Sequence, residues 1–370
     1  MDISTKRWIW LSSVPGIGAV KSKKLLEHFG DINNIWYAKR DELSVLPFLN
    51  RTDVSNLMGE ERKTAANDIL NSVNKYGIKV ITIESDTYPS YLKNIYDPPP
   101  VLYMRGSIER EAKYLAIVGS RKATSYGVRA AQTISMELSK YGITVVSGMA
   151  RGIDSFAHRG ALDAGGRTVA VIGCGLDIIY PYENKRLMES IVANGACISE
   201  YPPGTTPMPG NFPARNRIIS GISLGVIVIE AGGRSGSLIT AHFALEQGRE
   251  VFALPGNVNR INSIGTNKLI KDGAKMITGI NDILEEINIS FSEEKIKSFF
   301  DQKSRDGELL KGLSDDEKRI TECIRLESMH IDAIARRTGM KIEDVGALLV
   351  MLELKGIVEQ SPGKIFSIKF

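Results

Sequence analysis

Three short clusters of glycine, hydroxyl and guanidinium residues recur along this chain, each directly after an apolar, β-branched run. Leu115 to Val118 leads into Gly119, Ser120, Arg121 and Lys122; Val145 and Val146 lead into Ser147, Gly148, Met149, Ala150 and Arg151. Val226 to Ile229 leads, past Glu230 and Ala231, into Gly232, Gly233, Arg234, Ser235, Gly236 and Ser237. Glycine lets a ligand approach the backbone, free amides at a helix start attract an anion, and arginine offers a forked donor matched to phosphate oxygens. Three such junctions predict a phosphate-binding ledge. A fourth segment, Phe212 to Ser220, sets an aromatic ring beside Arg215, Asn216 and Arg217 at a helix start. That composition suits stacking of one nucleobase with its flanking phosphates held. The competing reading pairs Arg215 and Arg217 with Glu200 or Glu230 and leaves them to orient the loop.

Acid, base and metal chemistry find less support. Asp154 follows Arg151 and Gly152 at the start of a helical stretch, where a carboxylate serves as N-cap more readily than as general base. His158 lies one helical turn further and would face it. Glu230, ending a buried strand, suits an ion pair with a neighbouring arginine. The four histidines, His28, His158, His242 and His330, share no ligand spacing, so no metal is expected. Gly173-Cys174-Gly175 is an isolated G-x-G and no Walker lysine motif is present, so no cofactor is expected. The residue types describe electrostatic capture of an anion, with no catalytic residue.

The chain has 370 residues, with 47 Lys and Arg against 43 Asp and Glu, a net charge of +4. That length exceeds what one core usually spans and predicts two or three domains. Basic residues gather between Arg105 and Lys275, which assigns a polyanion partner to the middle of the chain. Cys174, Cys197 and Cys323 are widely spaced and read as free thiols of a reducing compartment. No apolar run reaches the length of a membrane span, so a cytoplasmic protein with no membrane partner is expected.

The elements that must position these clusters alternate from Tyr114 to about Ile287. Strands are expected at Tyr114 to Val118, Ile143 to Ser147, Thr168 to Gly173, Ala196 to Glu200, Leu224 to Glu230 and Glu250 to Leu254, with helices such as Ser125 to Tyr141, Ser155 to Ala164, Asn184 to Ala193 and Leu238 to Gln247 between them. Continuous apolar strands with crossover helices predict the α/β class, an open, doubly wound, Rossmann-like parallel sheet that binds ligands outside its carboxyl edge. All three basic glycine junctions fall on that edge.

Flanking regions differ. Residues 1–76 read as a helical domain in which Val14-Pro15-Gly16-Ile17-Gly18, followed by Lys21, forms a helix-hairpin-helix or SAM-like turn; Gly16, Gly18 and Lys21 are secondary DNA-binding candidates. Residues 77–288 form the central domain, an extension over 77–113 and a core over 114–288, and Pro98-Pro99-Pro100 marks a rigid boundary within it. Residues 289–313 read as a linker. Over 314–370, the capping-box pair Ser314 and Glu317, helices Ile331 to Thr338 and Ile342 to Lys355, and a hairpin about Ser361-Pro362-Gly363 predict a winged helix. Its recognition helix carries Glu343, Asp344 and Glu353, which favours a protein-contact or spacer module over base reading.

Taken in order, Ile117-Val118-Gly119-Ser120-Arg121, Ser147 to Asp154, Ala157-His158, Val171 to Asp177, Tyr180-Pro181, Ser199 to Pro202, Phe212-Pro213 with Arg215-Asn216-Arg217, Glu230-Ala231 with Ser235-Gly236-Ser237, and Leu254-Pro255-Gly256 resemble the DNA-processing protein A (DprA/Smf) family. The resemblance implies a cytosolic mediator of natural transformation that binds and shields incoming single-stranded DNA, loads the RecA recombinase onto it, and forms homodimers through the central domain. It also implies that Gly119, Ser120 and Arg121 form the DNA-binding pocket. A rival reading comes from the lysine-decarboxylase-like nucleotide hydrolases, whose Gly-Gly-x-Gly-Thr turn is followed by a glutamate. Here the turn at Gly232 to Ser237 carries an inserted residue, and Leu238-Ile239-Thr240 supplies no acid.

Overall fold

Strands of unbroken apolar residues must be covered on both sides, and the sheet of this protein is. The computed structural model describes residues 3–109, 112–287, 313–324, 329–361 and 363–368. They fall into two compact units, Met1–Asn288 and Ile289–Phe370.

In the first unit, strands β1 (Lys79–Thr82), β2 (Val101–Gly106), β3 (Tyr114–Val118), β4 (Thr144–Ser147), β5 (Thr168–Val171), β6 (Gly195–Ser199), β7 (Gly225–Val228), β8 (Glu250–Ala253) and β9 (Lys275–Met276) form one sheet. Their order is β1-β2-β6-β5-β4-β3-β7-β8-β9. Strands from β6 to β9 run parallel, whereas β1 and β2 pair antiparallel with each other and β2 pairs antiparallel with β6. The side-chain period of two divides each strand between two cores. Tyr103, Ala170 and Cys197 face a core shared with the N-terminal helices, while Met104, Val171 and Ile198 face the opposite one.

Helices Ser125–Lys140, Ile153–Asp163 and Lys185–Asn194 cover the first face, and Asn211–Ile222 and Gly236–Glu246 cover the other. The N-terminal helices, from Ile3–Ser13 to Glu60–Lys75, complete the first face, where Trp8 and Trp10 are 1% exposed. Packing is continuous across residues 76 and 77, so the helical region and the sheet are one unit. The proline run is likewise no boundary: it connects two paired strands, and Ile83 donates its amide to Pro100 at 3.0 Å.

The second unit contains helices Asp315–Ile324, Ile331–Thr338 and Ile342–Leu354 and a three-stranded sheet of β10 (Met329–His330), β12 (Ile365–Ile368) and β11 (Val358–Ser361), a winged-helix arrangement. The capping box forms as expected, with Ser314 N donating to Glu317 Oε2 at 2.9 Å and Glu317 N to Ser314 Oγ at 3.3 Å. Of the expected linker, Leu313 packs into this core, and the rest lies outside the described residues.

Lys355 donates to Glu317 at 2.6 Å, and this bond, with the Ser314 amide, holds the Glu317 carboxyl below its ordinary value. A depressed carboxylate stabilises the fold above its unfolded pKa, about 4.3, and loses that contribution as pH falls through the folded value. Amide protection in Asp315–Ile324 is therefore expected to weaken below about pH 4, and Lys355→Met to flatten that dependence, as hydrogen exchange would show.

Candidate functional site

Chain order reverses at β3: β4, β5 and β6 lie to one side of it and β7, β8 and β9 to the other. Loops leaving β3 and β7 therefore diverge and open a crevice between them, the place where doubly wound sheets hold ligands. A crevice of about 780 Å³ occupies this point, lined by Gly119, Ser120, Arg121 and Lys122 from the β3 loop and by Gly232 to Ser237 from the β7 loop. Phe212, Arg215 and Tyr180 close its third side. The first and third junctions expected from sequence meet here. The second meets them through a neighbouring cleft of about 40 Å³, where Gly148 and Arg151 share Arg121, Phe212 and Tyr180 as walls.

Four cations line the crevice, Arg121, Lys122, Arg215 and Arg234, against one carboxylate, Asp154. Arg121, Lys122 and Arg234 are exposed, on loops braced from behind. Ser120 Oγ accepts the Lys122 amide at 3.1 Å and closes the turn. Glu230 accepts the Thr124 amide at 3.0 Å and the Thr124 hydroxyl, and Asn262 Nδ2 bridges Lys122 O at 2.9 Å and Glu230 at 3.3 Å. Glu230 thus anchors the start of helix Ser125–Lys140, in place of the arginine pair expected for it. Ser235 caps helix Gly236–Glu246 by accepting the Ser237 amide.

An aromatic edge accompanies the charge. The Arg121 guanidinium lies 5.8 Å from the Phe212 ring centroid, and Tyr180 tilts against Phe212 at 5.3 Å and 33°. Tyr180 is 43% exposed and widens what Phe212 offers a base. Neither Tyr180 nor Asn262 was a candidate from sequence; Tyr180-Pro181 stood out as a motif without a role.

The glycines divide by function. A Cβ at Gly119 would lie 2.6 Å from Ile153, and one at Gly148 would lie 2.5 Å from the Arg215 guanidinium, so packing requires both. Gly233 is different: its Cβ would meet only Ile264, at 3.6 Å, and at Gly236 it would meet nothing within 4 Å. Among the described residues, little else approaches that space. Gly233→Val is expected to leave the thermal midpoint nearly unchanged while lowering ligand affinity on the order of tenfold through steric exclusion, measured by melting and binding titration.

One expected contact residue is corrected, and its neighbour is mostly buried. Arg217 is buried, with Nε donating to Asp97 at 2.9 Å and Nη2 to Glu200 at 2.7 Å. The competing ion-pair reading holds for it, and Arg217 does not line the crevice. Arg215 lines the crevice but is only 4% exposed, and its Nη1 donates to Gly148 O at 2.8 Å and to Val171 O. Burial draws its guanidinium down to about 10, still protonated at neutral pH. Asp154 beside it is pushed upward by burial, against the charge of Arg215.

Asp154 is not the N-cap, a position Gly152 fills; it accepts the amides of Gly148 at 3.2 Å and Ala150 at 3.4 Å. Those amides are therefore unavailable to a ligand. His158 turns away from it to Thr168, at 2.7 Å, and burial lowers its pKa to about 3. Exposed Arg151 pairs with Glu183. On the helical layer, Lys21 pairs with buried Asp53 at 2.6 Å, and Asp53 Oδ1 would lie 2.5 Å from a Cβ on Gly16. A carboxylate of the protein stands over that turn, while Gly18 remains open at the start of helix Ala19–Phe29.

Fold and site together define a Rossmann-like protein with a basic crevice at its switch point and a winged helix in the same chain. The profile of the DNA recombination-mediator protein A family matches residues 79–288, and that of the DprA winged-helix domain matches residues 307–364. This chain belongs to the DNA recombination-mediator protein A (DprA/Smf) family. Protein Smf of Synechocystis sp. is 36% identical over 96% of both chains, and the DNA processing protein DprA of Bacillus subtilis is 44% identical over 61% of this chain and 77% of its own. Among solved structures, DNA processing protein A of Streptococcus pneumoniae superposes with a TM-score of 0.67 at 36% identity, covering 79% of this chain and 100% of that one. DNA processing protein A of Helicobacter pylori, whose structure addresses its single-stranded DNA binding mode, gives 0.52 at 34% identity over 56% and 95%.

Proposed function

We propose that this chain is a recombination mediator that binds single-stranded DNA in the switch-point crevice, protects the incoming strand during natural transformation and loads RecA onto it. The observation that carries the reading is the crevice itself: exposed Arg121, Lys122 and Arg234 around unfilled glycine space, with Phe212 and Tyr180 at its edge. Phosphates bind the cations, and unpaired bases stack on the rings. A duplex keeps its base faces hidden, so the aromatic edge selects single strands. The single-stranded DNA binding addressed in the Helicobacter pylori relative supports the same assignment.

A homodimer through the central unit would join two crevices and raise avidity. Among the described residues, no helix is long and apolar enough to cross a membrane. Against the hydrolase reading, Thr240 stands in the crevice wall where an acid is wanted, and Asp154 is committed to two backbone amides.

A labelled oligonucleotide competed with unlabelled single strand and with duplex of equal length tests the proposal. Displacement by the single strand at far lower concentration than by duplex is expected; equal displacement, or release of ribose phosphate from nucleotides, overturns it. RecA filament formation on protein-coated strands then tests the loading step.

A further inference from the structure

The helical layer carries a second cleft, of about 260 Å³, that the crevice does not use. Trp36 sets its ring edge-on against buried Trp10, with centroids 5.0 Å apart, and stays half-buried, while Tyr37 beside it is 70% exposed. Lys63, Lys6 and Arg7 lie 5.0, 5.8 and 5.9 Å from the Trp36 centroid, and Arg7 also lies 5.0 Å from that of Tyr37. Exposed Lys39 and Arg40 line the same cleft.

Core formation accounts for Trp36 but not for its surroundings. Tyr37 and Arg40 bury little, and five cations gather about two rings. Glu60 pairs with Lys63 at 3.0 Å, Glu42 turns back to the Lys39 amide at 2.6 Å, and Arg7 donates to Tyr37 Oη at 3.0 Å and to Asn33. Rings flanked by cations match the faces of bases and their adjoining phosphates. A mononucleotide would engage one phosphate group, whereas Lys39, Arg40 and Lys63 along one cleft match several in succession.

We propose that this cleft is a second binding site for single-stranded nucleic acid, with a base on Tyr37 and Trp36 and neighbouring phosphates on Lys39, Arg40 and Lys63. The proposal rests on the reading of the crevice as the primary site and adds a contact that longer strands reach. It is separate from the turn at Gly16, which Asp53 covers.

The protein contains its own reporter. All three tryptophans, Trp8, Trp10 and Trp36, lie in this layer, and Trp8 and Trp10 are 1% exposed. Tryptophan emission and, in parallel, anisotropy of a labelled strand are followed as the full chain is titrated with short and long oligothymidylates. Long strands are expected to quench emission where short ones saturate anisotropy without quenching. Tyr37→Ala with Arg40→Ala should abolish the quench and lower long-strand affinity on the order of tenfold, leaving short-strand affinity and the thermal midpoint unchanged. Anisotropy that saturates without quenching for any strand overturns the second site and spares the crevice, as does a variant that matches the wild type. Absence of both signals overturns the crevice reading itself. Quenching by thymidine monophosphate as strong as by the long strand makes this a nucleotide site and also overturns the proposal.

Discussion

Arg121→Ala is expected to lower single-strand affinity roughly 10- to 100-fold, because a charge-assisted contact to phosphate is worth about 1.5–3 kcal/mol and 1.4 kcal/mol is tenfold. Arg121 stands at the centre of the site. It borders both the crevice and the adjoining cleft, and its guanidinium approaches the Phe212 ring. Losing it removes one phosphate contact and one cation from the aromatic edge. The slope of log affinity against log salt should shrink by about 0.7, the contribution of one phosphate on a single strand. Its side chain is exposed, so melting should shift little. An unchanged affinity in a binding titration would remove Arg121 from the site.

Arg217→Met should have the opposite signature. Arg217 bridges Asp97 and Glu200, and its side chain is 9% exposed against 17% for Glu200. Removing one partner leaves a buried carboxylate without its counter-charge, a loss of about 3–5 kcal/mol. Total stabilities run about 5–15 kcal/mol, so the denaturation midpoint should fall steeply. Molecules that remain folded should retain wild-type affinity and salt slope, because Arg217 does not line the crevice. A large affinity loss with an unchanged midpoint would return it to the ligand surface. The two arginines, both read from one sequence as phosphate ligands, are thereby assigned different work.

That pair also shows where the sequence was legible. Apolar runs of four or five residues with helices between them were enough to place the parallel strands, since only a sheet covered on both faces tolerates such runs. They also placed the first and third basic junctions on its carboxyl edge. What they could not give is the switch point, which depends on the order β6-β5-β4-β3-β7. Strand order is set by tertiary packing and leaves no periodic trace. Nor could local composition tell Arg217 from Arg121, because each is an arginine near a glycine or proline at a junction on the carboxyl edge of the sheet. The difference lies in Asp97 and Glu200, 120 and 17 residues away from Arg217 in the chain. Tyr180 is illegible for the same reason: its contact with Phe212 joins a loop to the start of helix Asn211–Ile222, 32 residues further along the chain. Asp154 was recognised as structural, but its partners are amides of the loop before its helix rather than those of the helix start.

The most direct test of the account is the position of a bound strand. An oligothymidylate carrying 5-iodouracil, cross-linked by light to the full chain, should yield peptides modified at Phe212 or Tyr180, with labelling suppressed in Arg121→Ala. Adducts confined to residues 1–76 or 314–370, with residues of the β3 and β7 loops unprotected by the strand, would contradict the assignment of single-stranded DNA to the switch-point crevice.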